Sequence, residues 1–191
     1  MTSGSKILDG SRVSEESLDA LVRRAQEGEE SAFEEILDRF ESSALLTARG
    51  MGASRQDAED IAQEAFLKVF RYIRSYRSER SFRAYFHRIV INACRDHMSR
   101  LGPAGEELSE EAADVAATAA AGAGAPDDVE RVRRALQELP PREREVAILR
   151  DMQGLSTWEV ARVLRISPIT VRRHSSRALA RLRGILEPPK R

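Results

Sequence analysis

The sequence predicts an all-α protein: two small helical domains joined by a flexible acidic linker rich in Ala and Gly. Three observations carry that expectation. Apolar residues recur at three- and four-residue spacing along both ends of the chain, and no stretch alternates with period two. Residues 101–128 (LGPAGEELSEEAADVAATAAAGAGAPDD) hold little apolar bulk beyond alanine, so they bury too little surface to offset the entropy of ordering them. Charge divides at the same place. Residues 1–100 carry 16 basic and 17 acidic side chains, residues 101–130 carry 0 and 8, and residues 131–191 carry 15 and 6. A zero net charge therefore conceals a strongly basic C-terminal block, which points to an anionic partner.

A chain of 191 residues, 41% apolar and 5% aromatic, suits small helical cores of Leu, Ile, Val and Ala. Cys94 is the only cysteine, so no intramolecular disulfide can form. The first residues are polar and no window approaches ~20 apolar residues, so membrane insertion is not expected and a cytoplasmic protein is. The expected layout is a disordered segment 1–13, a domain 14–100, the linker 101–128 and a domain 129–187.

In the first domain Leu18, Leu21, Val22 and Ala25 mark a helix capped near Gly28. Phe33, Ile36, Leu37 and Phe40 mark a second, ending near Gly50 and Gly52. Ser54-Arg55-Gln56-Asp57 resembles a capping box. It opens a helix whose stripe runs Ala58, Ile61, Ala62, Ala65, Phe66, Val69, Phe70, Ile73. After the polar break SYRSERS, Phe82, Tyr85, Phe86, Ile89, Val90 and Ala93 start a fourth helix reaching about Arg100. Most of these aromatic residues are expected in the core, with Tyr76 the exposed exception.

In the second domain a helix spans Val129 to Leu139, Pro140-Pro141 separates it from the next, and that one stops before Gly154. Ser156-Thr157-Trp158-Glu159 is a capping box for a short helix to Leu164, with Trp158 expected to pack inward. Arg165-Ile166 is a tight turn. Ser167 caps a last helix with Pro168 at its first position. Two helices so joined, the second rich in arginine, make a helix-turn-helix. On that last helix Val171, Ser175, Ala178 and Leu182 form a narrow packing seam. Arg172, Arg173, Ser176 and Arg177 lie on other faces, where arginine can donate two hydrogen bonds to guanine. Arg165 and the N–H groups of the helix start can hold a phosphate, and Arg181 and Arg183 suit backbone neutralisation or solvent. A basic helix for a membrane or for calmodulin would need a wide bulky apolar face, and this seam is small.

GLSTWEVARVLRISPITVRRH, residues 154–174, resembles both the LuxR-type effector domain and region 4 of bacterial sigma factors. The N-terminal domain discriminates. DAEDIAQEAFLKVF (57–70) followed by SFRAYFHRIVINACRDHMSR (81–100) resembles region 2 of the extracytoplasmic-function sigma factors of the sigma-70 family, and residues 139–183 resemble region 4. A LuxR-type regulator acting without being a polymerase subunit is the alternative, and it would need a receiver domain of alternating strands and helices.

The resemblance implies a promoter-specificity subunit with no catalytic activity and no cofactor. Its partners would be core RNA polymerase, promoter DNA and an anti-sigma factor. Polymerase docking falls to Asp57, Glu59, Asp60, Gln63 and Glu64. Opening of the downstream (minus-10) element falls to Tyr76, Arg77, Ser78, Arg80, Ser81, Arg83, Arg88, Asn92 and Arg95. The upstream (minus-35) element falls to Arg165, Ser167, Thr170, Arg172, Arg173, His174, Ser176 and Arg177. The sequence departs from the family at Tyr85, where tryptophan is usual, and at His174, Ser176 and Leu179 in the reading helix. A metal site is not expected, because Cys94 and His97 supply only two candidate ligands, and His87 is expected at the solvent or phosphate side.

Overall fold

A computed structural model describes residues 10–77, 81–101 and 126–187, and the side chains of residues 18–77, 81–100 and 127–187. The expectations for residues 1–9, for most of the linker and for residues 78–80 lie outside these. The described residues form eight α-helices in chain order: α1 Gly10–Glu27, α2 Glu30–Met51, α3 Arg55–Tyr72, α4 Phe82–Leu101, α5 Pro126–Gln137, α6 Pro141–Ala147, α7 Thr157–Leu164 and α8 Pro168–Leu186. A 3-10 turn, Ile73–Ser75, follows α3, and a π-helical turn, Ile148–Met152, continues α6. No strand occurs among the described residues.

Local chemistry sets the boundaries. Gly28, at φ 96°, donates its N–H to the Ala25 carbonyl. Gly52 closes α2 at φ 112°, a left-handed conformation that costs a residue with a Cβ. The Ser54 hydroxyl accepts from Asp57 N–H and starts α3. The Ser156–Glu159 capping box closes in both directions, at 2.8 and 3.3 Å. Pro141 and Pro168 occupy first turns, where a missing N–H costs nothing.

Helices α1–α4 enclose one core. Ile36, Phe40, Ile61, Val69, Phe82, Phe86 and Val90 are buried in it. Alanines at 32, 44, 48, 58 and 65 let α2 and α3 approach closely. Phe40 meets Phe82 and Phe86 with ring centroids 5.5 and 4.7 Å apart. Helices α5–α8 pack around Leu139, Val146, Ile148, Leu149, Val160 and Val171, which continue the same apolar cluster. The seam of α8 is buried at Val171, Ser175 and Ala178 as its spacing predicts.

The two helical units pack against each other. The end of α2 lies on the α5–α6 turn: Gln137 Nε2 donates to the Gly50 carbonyl at 3.0 Å and Arg144 to the Met51 carbonyl at 3.2 Å. These side chains satisfy carbonyls that a helix end otherwise leaves to water. Helix α4 packs along α7.

Candidate nucleic-acid interface

Helix α3 divides its polar residues between two faces. Glu59, Asp60 and Gln63 are exposed on the outer face, together with Leu67 (66% exposed) and Phe70 (63%). Asp57 and Glu64 lie instead on the edge beside α4. Asp57 Oδ1 is 3.1 Å from His97 Nε2, and Glu64 pairs with Lys68 at 2.8 Å and Arg100 at 3.2 Å. The hydrogen bond from Lys68, followed by Arg100, holds the Glu64 carboxyl below its usual range. Phe70 is therefore no core residue: its ring meets Phe33 edge-on at 5.0 Å, and the rest faces solvent. Sequence reasoning missed Leu67 and Phe70 as part of this face. Their signal was a stripe too wide for one helix to bury, since the apolar positions from Ile61 round to Leu67 cover more than half the circumference of the helix.

After α3 the chain turns inward. Gln26 Nε2 donates to the Ile73 carbonyl at 2.9 Å and the Tyr76 carbonyl at 2.6 Å. Tyr76, expected at the surface among the residues that open the downstream element, is 8% exposed and packs on Phe82 and Tyr85 at 5.4 and 4.9 Å. It supports the surface from beneath. Arg77 is exposed, while Ser78 and Arg80 fall outside the described residues. Ser81 precedes α4, and its hydroxyl accepts from Ala84 N–H at 3.4 Å.

Arg88, Asn92 and Arg95 share one face of α4, at i, i+4 and i+7. The Arg88 guanidinium lies 5.8 Å from the Tyr85 ring centroid, a cation–π contact at the position where tryptophan is usual. With Val163, Leu164 and Arg165 these three line a cleft of about 160 Å³ between α4 and α7. Arg83 reaches the other way and donates to the Gln153 carbonyl at 2.6 Å. Arg95 donates to Glu145 at 2.8 Å.

His87, expected near solvent, is buried at 1% exposure. Its Nε2 is 3.3 Å from the Ser43 hydroxyl, which donates to Gln153 at 2.6 Å. Burial lowers its pKa to about 4. Cys94 is likewise buried, its thiol pushed up to about 12. Because His97 turns to Asp57, the i, i+3 pair is split between the core and that contact. No group of three or more His, Cys, Asp or Glu that could hold a metal ion occurs among the described residues.

At the other end, Arg165 adopts φ 55° in the turn between α7 and α8. Ser167 caps α8 by accepting from Thr170 N–H at 3.1 Å. Arg172, Arg173, Ser176 and Arg177 are exposed on the first half of α8, and His174 is half-buried. Arg181 pairs with the buried Glu143 at 3.0 Å while its own side chain stays 56% exposed. Trp158, expected inside, is 65% exposed. Val160, Ala161, Val163 and Leu164 bury the other face of α7 and leave it outward.

A family model described as Sigma-70 region 2 matches residues 38–103, and one described as Sigma-70, region 4 matches residues 129–182. The chain is similar to the ECF RNA polymerase sigma factor SigM of Mycobacterium tuberculosis, with 32% identity over 83% of this chain and 79% of that one. It is 29% identical to the RNA polymerase sigma-H factor of Pseudomonas aeruginosa, over 88% and 93% of the two chains. Among solved structures it resembles CnrH in complex with the cytosolic domain of CnrY: TM-score 0.71, 26% identity, 90% of this chain and 98% of that chain covered.

Proposed function

The chain belongs to the extracytoplasmic-function sigma factors of the sigma-70 family, and from that premise we propose how its surfaces divide the work of a promoter-specificity subunit. Such a subunit binds core RNA polymerase and directs it to promoter DNA. The region 2 match over residues 38–103 disposes of the LuxR-type alternative, whose N-terminal part would be a receiver domain. We assign residues 14–100 to polymerase binding and downstream-element opening, and residues 129–187 to the upstream element.

Polymerase docking centres on the outer face of α3. Glu59, Asp60 and Gln63 offer acids and an amide, and Leu67 and Phe70 offer an apolar end with no partner in the core beyond Phe33. That exposed acidic-apolar stripe is the observation that carries the assignment. Large exposed apolar side chains rimmed by polar ones mark protein contacts. Asp57 and Glu64 act indirectly, holding α4 against α3 through His97 and Arg100. Arg77, Ser81, Arg83, Arg88, Asn92 and Arg95 form the surface for the opened strand, with Tyr76 beneath it. On α8, Arg172, Arg173, Ser176 and Arg177 read base edges in the major groove, and Arg165, Ser167, Thr170 and His174 contact backbone.

The protein acts in the cytoplasm, where its polymerase is, and none of the described helices is long and apolar enough to cross a membrane. It performs no catalysis of its own and needs no cofactor. An anti-sigma factor covers these faces in the inactive state. The solved relative held by the cytosolic domain of another protein supports that expectation.

Core binding tests the docking assignment. In equilibrium titrations of core polymerase, Asp60→Lys and Phe70→Ala each weaken binding at least tenfold, which is about 1.4 kcal/mol, with unfolding midpoints unchanged. Affinity equal to wild type in both variants refutes it.

A further inference from the structure

Resting on the assignment of α8 to the upstream element, we propose that Ile169 is a specificity-determining residue of that helix and takes the 5-methyl group of a thymine in the major groove.

Ile169 is the most exposed large apolar side chain among the described residues, at 74%. It has no place in the packing seam of α8. Val171, Ser175 and Ala178 lie on nearly the opposite side of the helix, and all three are buried. Ile169 instead shares a face with Arg172, Arg173 and Ser176, at i, i+3, i+4 and i+7, and each of these is exposed. Round the helix it stands between the two arginines and almost in line with Ser176.

The position is held firmly. Pro168 fixes the backbone at the first helical residue, and the Ser167 hydroxyl accepts from Thr170 N–H at 3.1 Å. Val171 N–H donates to the Ser167 carbonyl at 3.0 Å, which closes the first turn around Ile169. The side chain is stiff as well. A β-branched residue in a helix keeps one strongly preferred rotamer, so pressing it against a base costs little entropy.

The major-groove floor is polar except at one kind of base. Guanine presents two acceptors, cytosine a donor and adenine one of each, while thymine carries a methyl group beside its acceptor. A branched aliphatic side chain between two guanidinium groups finds its match in that methyl. Against any other base it would strip water from a donor or acceptor and offer no hydrogen bond in return. At 1.5 Å of rise per residue, Ile169 lies about 4.5–6 Å along the axis from Arg172 and Arg173. The thymine is therefore one or two base pairs, at about 3.4 Å each, from those the arginines read. A protein contact at this spot would need a contiguous apolar patch, and the neighbours of Ile169 on this face are arginines and a serine.

The test uses core polymerase, the full chain and a fragment selected by run-off transcription with the wild-type chain. Each thymine of the upstream element, on either strand, is replaced in turn by deoxyuridine, which removes the methyl group and leaves base pairing intact. Competition between substituted and unsubstituted fragments for limiting holoenzyme reads the preference. With the wild-type chain, replacement of one thymine lowers the preference about fourfold, the worth of one buried methylene. Ile169→Ala keeps the wild-type unfolding midpoint and no longer distinguishes the two fragments, so the side chain and the methyl group are coupled. A wild-type holoenzyme indifferent to every replacement overturns the proposal. So does an Ile169→Ala holoenzyme with full wild-type sensitivity, or a set of selected upstream elements that contain no thymine. If the wild-type chain directs no initiation at all, the sigma-factor reading fails. The same series is then read on duplexes selected for binding by the full chain alone, where the same results uphold or overturn the role of Ile169.

Discussion

Acid should weaken this protein through one buried imidazole before it reaches the carboxylates. His87 lies at 1% exposure beside the Ser43 hydroxyl, with Arg83 nearby disfavouring the imidazolium further and Glu159 opposing it only weakly. Burial, the largest cause, lowers its pKa to about 4, against roughly 6.5 in the unfolded chain. Between those values the unfolded state binds more protons, so stability rises with pH there. The stabilisation is complete above the unfolded pKa and is lost as pH falls toward the folded one. A difference of about 2.5 units corresponds to about 3 kcal/mol in full, of which about 2 kcal/mol is lost by about pH 5. The carboxyls of Glu64, Glu130 and Glu159 are held below their usual range, so their contributions fade at lower pH than this window. Urea unfolding followed by helical circular dichroism, at about pH 7.5 and about pH 5, measures the loss. His87→Gln keeps a hydrogen-bonding partner for Ser43 and removes the titration. It should lose less than half of what the wild type loses between the two pH values. A His87→Gln chain with the same acid sensitivity as wild type would refute the assignment of that window to His87.

Other substitutions separate supporting from contacting residues. Tyr76→Ala should cost about 3 kcal/mol in urea, as for a buried aromatic ring; a stable Tyr76→Ala chain deficient only in opening would restore a direct role in strand opening. Arg172→Ala and Arg173→Ala should each relax upstream-element preference by about 1–3 kcal/mol per lost bidentate contact, read by competition among variant promoters; unchanged preference would move base reading to other residues. Gly52→Ala should destabilise by at least 1 kcal/mol, because φ is 112° and the new Cβ would meet Gln137 Oε1 at 2.7 Å; an unaltered urea midpoint would show that α2 ends otherwise in solution.

The helix-turn-helix could be read directly because its signals are local. A capping box at Ser156–Glu159, a tight turn at Arg165 and a Ser-Pro start at 167–168 each act within one helical turn. What could not be read depended on which of several apolar faces the fold would cover. Phe70 and Trp158 satisfy helical spacing, yet α3 and α7 each bury a narrower face than their apolar residues describe. Tyr76 follows a polar break that suggests a surface loop, but the amide of Gln26, fifty residues away, draws it inward. His87 reads as an ordinary polar residue on α4, and only the packing of α2 and Gln153 around it makes it buried. Contacts between the two domains involve Arg83, Arg95, Glu145 and Gln153, ordinary polar residues whose pairing follows from tertiary placement alone.

The most direct measurement is run-off transcription from genomic fragments with purified bacterial core polymerase, with and without this chain. The account predicts initiation at a discrete set of sites only when the chain is present, lost with Asp60→Lys and redirected with Arg172→Ala. Tight DNA binding by the chain without any polymerase-dependent initiation would contradict it.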